Sequence, residues 1–515
     1  MTELATPELD AGRRKDINEG TPRECELGWN SVNITPLLLK SMGAFLIPQN
    51  KKRREIMENS KKTMEKVVNL CKSRGFVFPG SEIYGGFANT WDFGPVGVEL
   101  ENNIKKCWWK RFVQESPNTY GVDASILMNP RVWEASGHVA NFGDPKMDCK
   151  SCKQRFRADN LIEDYSKGQV CPDTMTNEEM EAYIEEHNIK CPRCGNHNWT
   201  PIRTFKLMFE TSRGTIDGEK DTVYLRPETC QGEYVNFLNV QRTARAKLPF
   251  AIAQIGKSFR NEITPGNFLF RTIEFEQMEL QMFCKDESSL DIYNEYKAKA
   301  WEFAKNIGLA EERLRFHDHD KLAHYAKAAC DIQYNFPIGW QELNGVHHRG
   351  TWDCSRHQEF SGKSMAYTDP VTSEKILPTV IEYSIGVGRL TLAVLCEAYD
   401  EEVLENGETR IVMHFHPAVA PYKVAVLPLQ KNLGEKAREI YSMLSKEFMC
   451  DYDEAGSIGK RYRRQDEIGT PFCVTIDFDT LENNTVTIRD RDSMEQIRLE
   501  VDKLVEYIAN KIKFN

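Results

Sequence analysis

The run EFEQMELQMF, residues 274–283, limits what this 515-residue chain can fold into more than any other stretch. Phe275, Gln277, Glu279 and Gln281 share one parity, and Glu276, Met278, Leu280 and Met282 the other. A period of two means an extended strand with one face in a core and the other kept polar. The runs FKLMFET, TVYLRPE and FAIAQIGKSFRNE precede it between about 203 and 284, separated by turn signals, as a half-buried antiparallel sheet requires. The larger stretch GKSFRNEITPGNFLFRTIEFEQMEL, 256–280, crowds arginines, carboxylates and phenylalanines around a Pro-Gly pair. A solvated surface scatters such residues and a strand core excludes the charges. The pattern describes a site for one ligand with several chemically different parts.

A chain of this length exceeds one ordinary core, so two or three domains are expected. The formal net charge of −10 argues against a general nucleic-acid coat, so any nucleic-acid contact has to be local. Fifteen scattered cysteines do not resemble a secreted disulfide framework and place the chain in a reducing, cytoplasmic setting. The acidic N-terminus carries no signal or transit pattern. The apolar segment ITPLLLKSMGAFLIP, 34–48, holds Lys40 and two prolines and is too short to span a membrane. No membrane association is expected.

Residues 1–60 read as a polar, mobile leader. Organisation begins at KKTMEKVVNLCKSRG, a helix stopped at Gly75, followed by the helix GVELENNIKKCWWKRFVQE and the strand VDASILMNP, closed by Pro130. Neither a G-x-G-x-x-G after a strand nor a Walker P-loop occurs, which disfavours a doubly wound nucleotide-binding domain. From about 418 the segments YKVAVLPL, GEKAREIYSMLSKEF, PFCVTIDF, TVTIRDR and VDKLVEYIANKI form a compact α/β domain. Its loop SIGKRYRRQDEIG sets Lys460, Arg461, Arg463 and Arg464 around Tyr462, suited to a phosphate backbone with a base to stack on.

Two C-x-x-C knuckles, Cys149/Cys152 and Cys191/Cys194, offer four thiolates to one tetrahedral zinc, and Gly195 permits the tight turn after the second. A redox pair lacks the strand-to-helix setting it needs. Cys171, between the knuckles, reads as an ordinary thiol. The metal would fold an insertion, 149–194, too small to bury its own core.

The helix and strand ending at Pro130, then FRNE, RTIEF and GVGR at 386–389, resemble motifs 1, 2 and 3 of class II aminoacyl-tRNA synthetases. RGFVFPGSEIYGG, WDFGPVGVELENNIKKCWW, YLRPET, HDHDKLAHYA and GKRYRRQDEIGTPFCVT are similar to glycyl-tRNA synthetases of the homodimeric type, and the likeness runs from about 62 to the C-terminus. It implies an α+β fold: a class II catalytic domain over 61–417 on an antiparallel sheet with flanking helices, the zinc-knuckle insertion, and an anticodon-binding domain over 418–515. It implies ATP-dependent activation of glycine to glycyl-adenylate and transfer of glycine to the 3′ end of tRNA(Gly).

The same resemblance supplies roles. Arg260 meets the α-phosphate, Arg389 the γ-phosphate, and Arg271 further phosphate oxygens; guanidinium forks suit these better than a lysine does. Glu262 accepts from the adenine amino group and Phe275 stacks on the ring. Asn261, Phe270, Leu343, Gly386 and Gly388 complete the ATP set, and Glu342 matches a magnesium-binding position. Glycine, having no side chain, is held by its ammonium and carboxylate: Glu228, Gln277, Glu279, Glu382, Ser384, Phe275 and Arg157 match its contacts. Rejecting larger competitors needs only a steric wall, so no editing domain is required. His317, His319 and His324 read as part of a helix start capped by Asp318 or Asp320. A twofold homodimer is expected through the motif 1 helix, with Trp108 and Trp109 as interface area. The alternative from another class, a synthetase-like binding protein that has lost catalysis, is disfavoured by intact Arg260, Glu262 and Arg389.

Overall fold

A computed structural model describes residues 63–514 apart from 168, 171, 173, 174, 217, 218, 263–265, 320, 321 and 323–325. The expected leader, Cys171, Asp320 and His324 lie outside the described residues. The period-two run forms β3, an inner strand of a seven-stranded sheet. In chain order its strands are β1 Thr119–Gly121, β2 Phe250–Phe259, β3 Glu274–Cys284, β4 Leu314–Asp318, β5 Ala328–Phe336, β6 Gly339–Gly350 and β7 Thr379–Gly386. They lie in the order β4-β5-β6-β7-β3-β2-β1, antiparallel throughout except for the parallel β1–β2 pair.

One face of the sheet is closed by helices α1 Pro95–Trp109, α2 Ser289–Asn306 and α3 Val387–Ala398. Helix α1 starts with proline at its first turn, where a missing N–H costs nothing. Gly97 lies so close to the bend at Phe76 that a Cβ would meet the Phe76 carbonyl at 1.9 Å, so only glycine fits. Met278 and Leu280 of β3 and Tyr383 of β7 pack into one core with Leu100 and Trp108 of α1, Phe303 of α2 and Leu390 of α3. Burying each such side chain contributes about 1.5–3 kcal/mol, which fixes the register and turns the opposite parity outward.

Three expectations change here. Residues 122–130 are irregular rather than a strand; the strand ends at Gly121. Burial does alternate along them, but Arg226 and Gln254 side chains take up the Ala124 carbonyl, at 2.6 and 3.4 Å, in place of a ladder partner. Trp108 is fully buried, stacked on Tyr383 and packed on Phe112, so it belongs to the core and not to an interface. Asp318 ends β4 and pairs with Lys297 at 2.8 Å, and so caps no helix.

The insertion between β1 and β2 has a three-stranded sheet, Gly143–Asp148 flanked by Arg155–Arg157 and Arg203–Lys206, with helices Ala158–Ser166 and Asn177–Glu186. It does bury a small core of its own, Met147, Leu161, Ile162, Met180 and Ile184 among it. The C-terminal segments form a five-stranded sheet ordered Cys450–Tyr452, Val424–Pro428, Phe472–Ile476, Thr485–Asp490, Gln496–Glu500, its first three strands parallel. The stretch read as a loop at 457–469 is largely helix α4, Ile458–Ile468, stopped by Gly469 at φ +77°. No helix among the described residues is long and apolar enough to cross a membrane.

Candidate active site

The outward parity of β3 is the floor of a cavity of about 250 Å³. Register does the assembly: Glu279 lies opposite Ser384 of β7 and Gln254 of β2, Gln281 opposite Glu382, and Glu382 opposite His347 of β6. Side chains far apart in sequence thereby share one surface. The walls come from the turn after β2, the Phe268–Phe270 turn before β3, and the start of α3.

One end of the cavity is acidic. Glu279 is buried, with one oxygen accepting from Ser384 Oγ at 2.6 Å and Gln277 Nε2 at 2.8 Å, and the other from the Thr229 N–H at 3.1 Å and its hydroxyl. Burial, reinforced by the charges of Glu382 and Glu228, pushes its carboxyl up to about 7. Burial would raise Glu382 too, but Arg349 and His347 hold it down at about 2. Arg349 is half-buried between Glu382, 3.2 Å away, and Asp353, 2.8 Å away. Burial works against charge on His347, yet Asp331 and Glu382 carry it up to about 9. Burial likewise opposes ionisation of Glu228, but His138 and Arg349 keep it well below the ordinary carboxylate range. The arrangement holds Glu228 and Glu382 ionised and leaves Glu279 near its midpoint at neutral pH.

The other end is basic and aromatic. The Arg260 guanidinium lies between the rings of Phe142 and Phe275, 5.4 Å from each centroid, with Nε donating to the Pro227 carbonyl at 3.0 Å. No carboxylate pairs with it among the described residues. Arg389 rests on the Phe270 ring and pairs with Glu342 at 3.1 Å. Arg271 lies 3.9 Å from Glu262. Gly386 and Gly388 line the wall, and a Cβ on Gly388 would press on the Leu269 carbonyl at 3.2 Å. A cavity with carboxylates at one end and unspent guanidinium charge at the other takes a ligand cationic at one end and anionic at the other.

The structure brings together in this cavity Glu228, Arg260, Glu262, Phe270, Arg271, Phe275, Gln277, Glu279, Glu342, Leu343, Glu382, Ser384, Gly386, Gly388 and Arg389. Asn261 stays outside, exposed, with its N–H on the Leu207 carbonyl at 2.8 Å. Arg157 also falls outside the lining, because Asp144, at 2.9 Å, and Asp159 take its guanidinium within the insertion. His347, Gly345, Arg349 and Thr229 escaped the sequence reading. The parity of VHHRG on β6 is the signal that would have found His347 and Arg349.

On α4 the basic cluster divides. Arg461 is buried, donating to the Pro428 and Asp453 carbonyls at 2.6 and 3.2 Å, so it is a strut and faces no ligand. Arg489 lies over the Tyr462 ring at 4.8 Å, the ring packs against the Ala425, Leu427 and Cys473 cluster, and its hydroxyl bonds Thr475, so the ring is engaged within the domain. Arg464 is bonded to Asp453 and Ala455. Arg463 lies 3.9 Å from Glu408, and Lys460 is exposed without an ion-pair partner among the described residues.

The four knuckle cysteines converge, with Sγ–Sγ distances of 3.6 Å for Cys149–Cys194 and 3.7 Å for Cys152–Cys191. A Zn–S length of roughly 2.3 Å sets a tetrahedron edge of roughly 3.8 Å. The donor set therefore fits one zinc ion.

Two family models match the chain: the tRNA synthetase class II core domain (G, H, P, S and T) over residues 208–399, and the anticodon binding domain over 423–511. The chain is 58% identical over 459 residues to the glycine–tRNA ligase of Clostridium kluyveri (strain NBRC 12016) and 59% identical over 459 residues to that of Caldanaerobacter subterraneus subsp. tengcongensis. Each alignment covers 88% of this chain and 99% of the relative.

Proposed function

We propose, for a chain that belongs to the glycine–tRNA ligase family, that this cavity joins glycine to AMP from ATP and that the protein then passes glycine to the 3′ end of tRNA(Gly). The observation that carries the reading is the polarity of one cavity: Glu228, Glu279 and Glu382 at one end, Arg260, Arg271 and Arg389 at the other. Three carboxylates grip an ammonium by charge-assisted bonds. The glycine carboxylate is already ionised near neutral pH, so attack on the α-phosphorus needs no general base. The carboxylate oxygen forms a bond to phosphorus as the bond to pyrophosphate breaks, and negative charge grows on the α-phosphate oxygens. Arg260, with no carboxylate to leave first, supplies fixed positive charge where that growth occurs.

Phe275 and Glu262 are assigned to adenine, Arg389 and Arg271 to the distal phosphates, and Gln277 and Ser384 to glycine. Glu342, half exposed beside Arg389, would hold magnesium, which neutralises phosphate charge when bound. Cys149, Cys152, Cys191 and Cys194 would hold a structural zinc. Residues 61–417 are assigned to catalysis and 418–515 to the anticodon, with Lys460 and Arg463 as the available backbone contacts. A twofold homodimer is proposed, supported by the nearly fully exposed Ile83 and Tyr84, apolar surface that a partner would cover. Free described cysteines support a cytoplasmic site of action. Glycine-dependent exchange of pyrophosphate into ATP, followed by glycylation of tRNA(Gly), tests the reading; absence of exchange in folded protein overturns it.

A further inference from the structure

The segment 131–142 reaches both ends of the cavity. It forms two short helices, Arg131–Ala135 and His138–Asn141, joined through Gly137 at φ +82°. The His138 ring is fixed on three sides. Trp133, fully buried, packs against it edge-on at 5.6 Å, Phe142 packs at 5.0 Å, and Nδ1 meets Ser136 Oγ at 2.8 Å. This leaves Nε2 aimed at Glu228 Oε1, 3.3 Å away.

That oxygen carries more than its share. Besides the imidazole contact, Cys230 Sγ, at 2.9 Å, and Gln231 Nε2, at 3.0 Å, donate to Oε1, and Gln231 is itself held by His357 at 2.9 Å. No bond to Oε2 of Glu228 exists among the described residues. Two hydrogen bonds and the imidazole contact, all on one oxygen, hold the carboxylate's rotation and leave the second oxygen for a ligand. On its other side, His138 bears on Phe142, one of the two rings that bracket the Arg260 guanidinium.

We propose that His138 is a positioning residue serving both ends of the site: through Glu228 it presents a free carboxylate oxygen to the substrate ammonium, and through Phe142 it sets Arg260 against the phosphate. The inference rests on the reading of the cavity given above. It separates two effects that ordinary loss of packing would merge. The contact with Glu228 governs glycine capture, and the contact with the Phe142 ring governs the rate of adenylate formation.

Steady-state pyrophosphate exchange with the full chain, active sites titrated, tests it. His138→Ala is expected to raise the KM for glycine about tenfold to a hundredfold, the worth of one hydrogen bond to a charged group, and to lower kcat as well. His138→Gln keeps an N–H donor where Nε2 stood but loses the ring, so it should restore the glycine KM to within about threefold of wild type while kcat stays low. Phe142→Leu should lower kcat and leave the glycine KM unchanged. If His138→Ala is poorly folded, the Gln and Phe142 variants carry the same split. Glu228→Gln is the control: if it raises the glycine KM while folded His138 variants do not, the positioning role is wrong and the reading of the cavity stands. If Glu228→Gln leaves the KM unchanged, the reading of the cavity itself is wrong. Parallel movement of KM and kcat in both His138→Gln and Phe142→Leu also overturns the proposal.

Discussion

Replacing Arg260 with methionine isolates charge from packing. The structure gives the side chain one hydrogen bond, to the Pro227 carbonyl, and two ring contacts. The bond is worth about 1 kcal/mol and the guanidinium–ring contacts about 0.5–1 kcal/mol each at a partly exposed site. Methionine keeps most of the apolar stem between Phe142 and Phe275, so no packing loss is added and the net loss of stability is about 2–3 kcal/mol, a few degrees in Tm for a chain this large. The kinetic loss is larger. With no carboxylate paired to it, Arg260 spends nothing on breaking an ion pair when phosphate arrives, and deleting such a donor removes about 2.7–4 kcal/mol of transition-state stabilisation, a factor of about 10²–10³ in kcat. Arg389 begins from an ion pair with Glu342, so Arg389→Met should cost less. Single-turnover adenylate formation gives the rate, and calorimetry the stability. A folded Arg260→Met that forms adenylate within about threefold of the wild-type rate refutes the reasoning, as does a Tm lowered by tens of degrees.

Arg349→Met should destabilise the fold by about 3–5 kcal/mol, because it leaves Asp353 and Glu382 buried without their shared cation; thermal unfolding with and without glycine measures it. Glu279, raised to about 7 from an ordinary 4.5, lends stability as the protonated acid that is complete below its ordinary value and lost as pH rises through about 7. Ammonium binding demands the ionised form, so the glycine KM should fall as pH rises from about 6 to about 8, with proton release on binding, and Glu279→Gln should flatten the profile. Cys191→Ser should abolish binding of one zinc per chain and lower Tm. Adenylate formation should survive in the folded fraction, since the knuckles stand apart from the cavity lining; metal analysis beside active-site titration decides it.

What the sequence made legible was whatever one element carries alone. The parity of residues 274–283 defined both faces of β3, and each C-x-x-C knuckle placed two thiols together by local geometry, the repeated motif alone pointing to the cross-chain cluster. The missed residues act across elements. Parity within β6 puts Arg349 and His347 on one face, but they matter through Glu382 on the neighbouring strand, and no spacing within β6 announces that register. The misread residues show what patterns measure. Alternation over 122–130 reports burial, and side-chain donors on the Ala124 carbonyl satisfy the backbone without a ladder. In the basic run on α4, Arg461 and Gln465 lie one turn apart and are both buried. A hydrophobic template passes over such a face because the side chains that bury are charged or polar.

Both poles of the cavity are nevertheless anchored to one strand. Phe275, against Arg260, and Glu279, at the acidic end, are four residues apart on the same face of β3. At roughly 3.3 Å per residue an extended strand holds them about 13 Å apart along its axis. On the proposed reading this spacing separates the base-and-phosphate end of the site from the ammonium end, and it is set by backbone that pairs on both edges, with β2 on one side and β7 on the other. A strand paired on both sides cannot slip by one residue without sending Met278 and Leu280 into the cavity and Glu279 into the core. The apolar residues that fold the sheet therefore also fix the distance between the two poles. Positioning of the reacting groups is in this sense a property of the core, and substitutions such as Leu280→Ala should loosen the site before any residue that touches a ligand has changed.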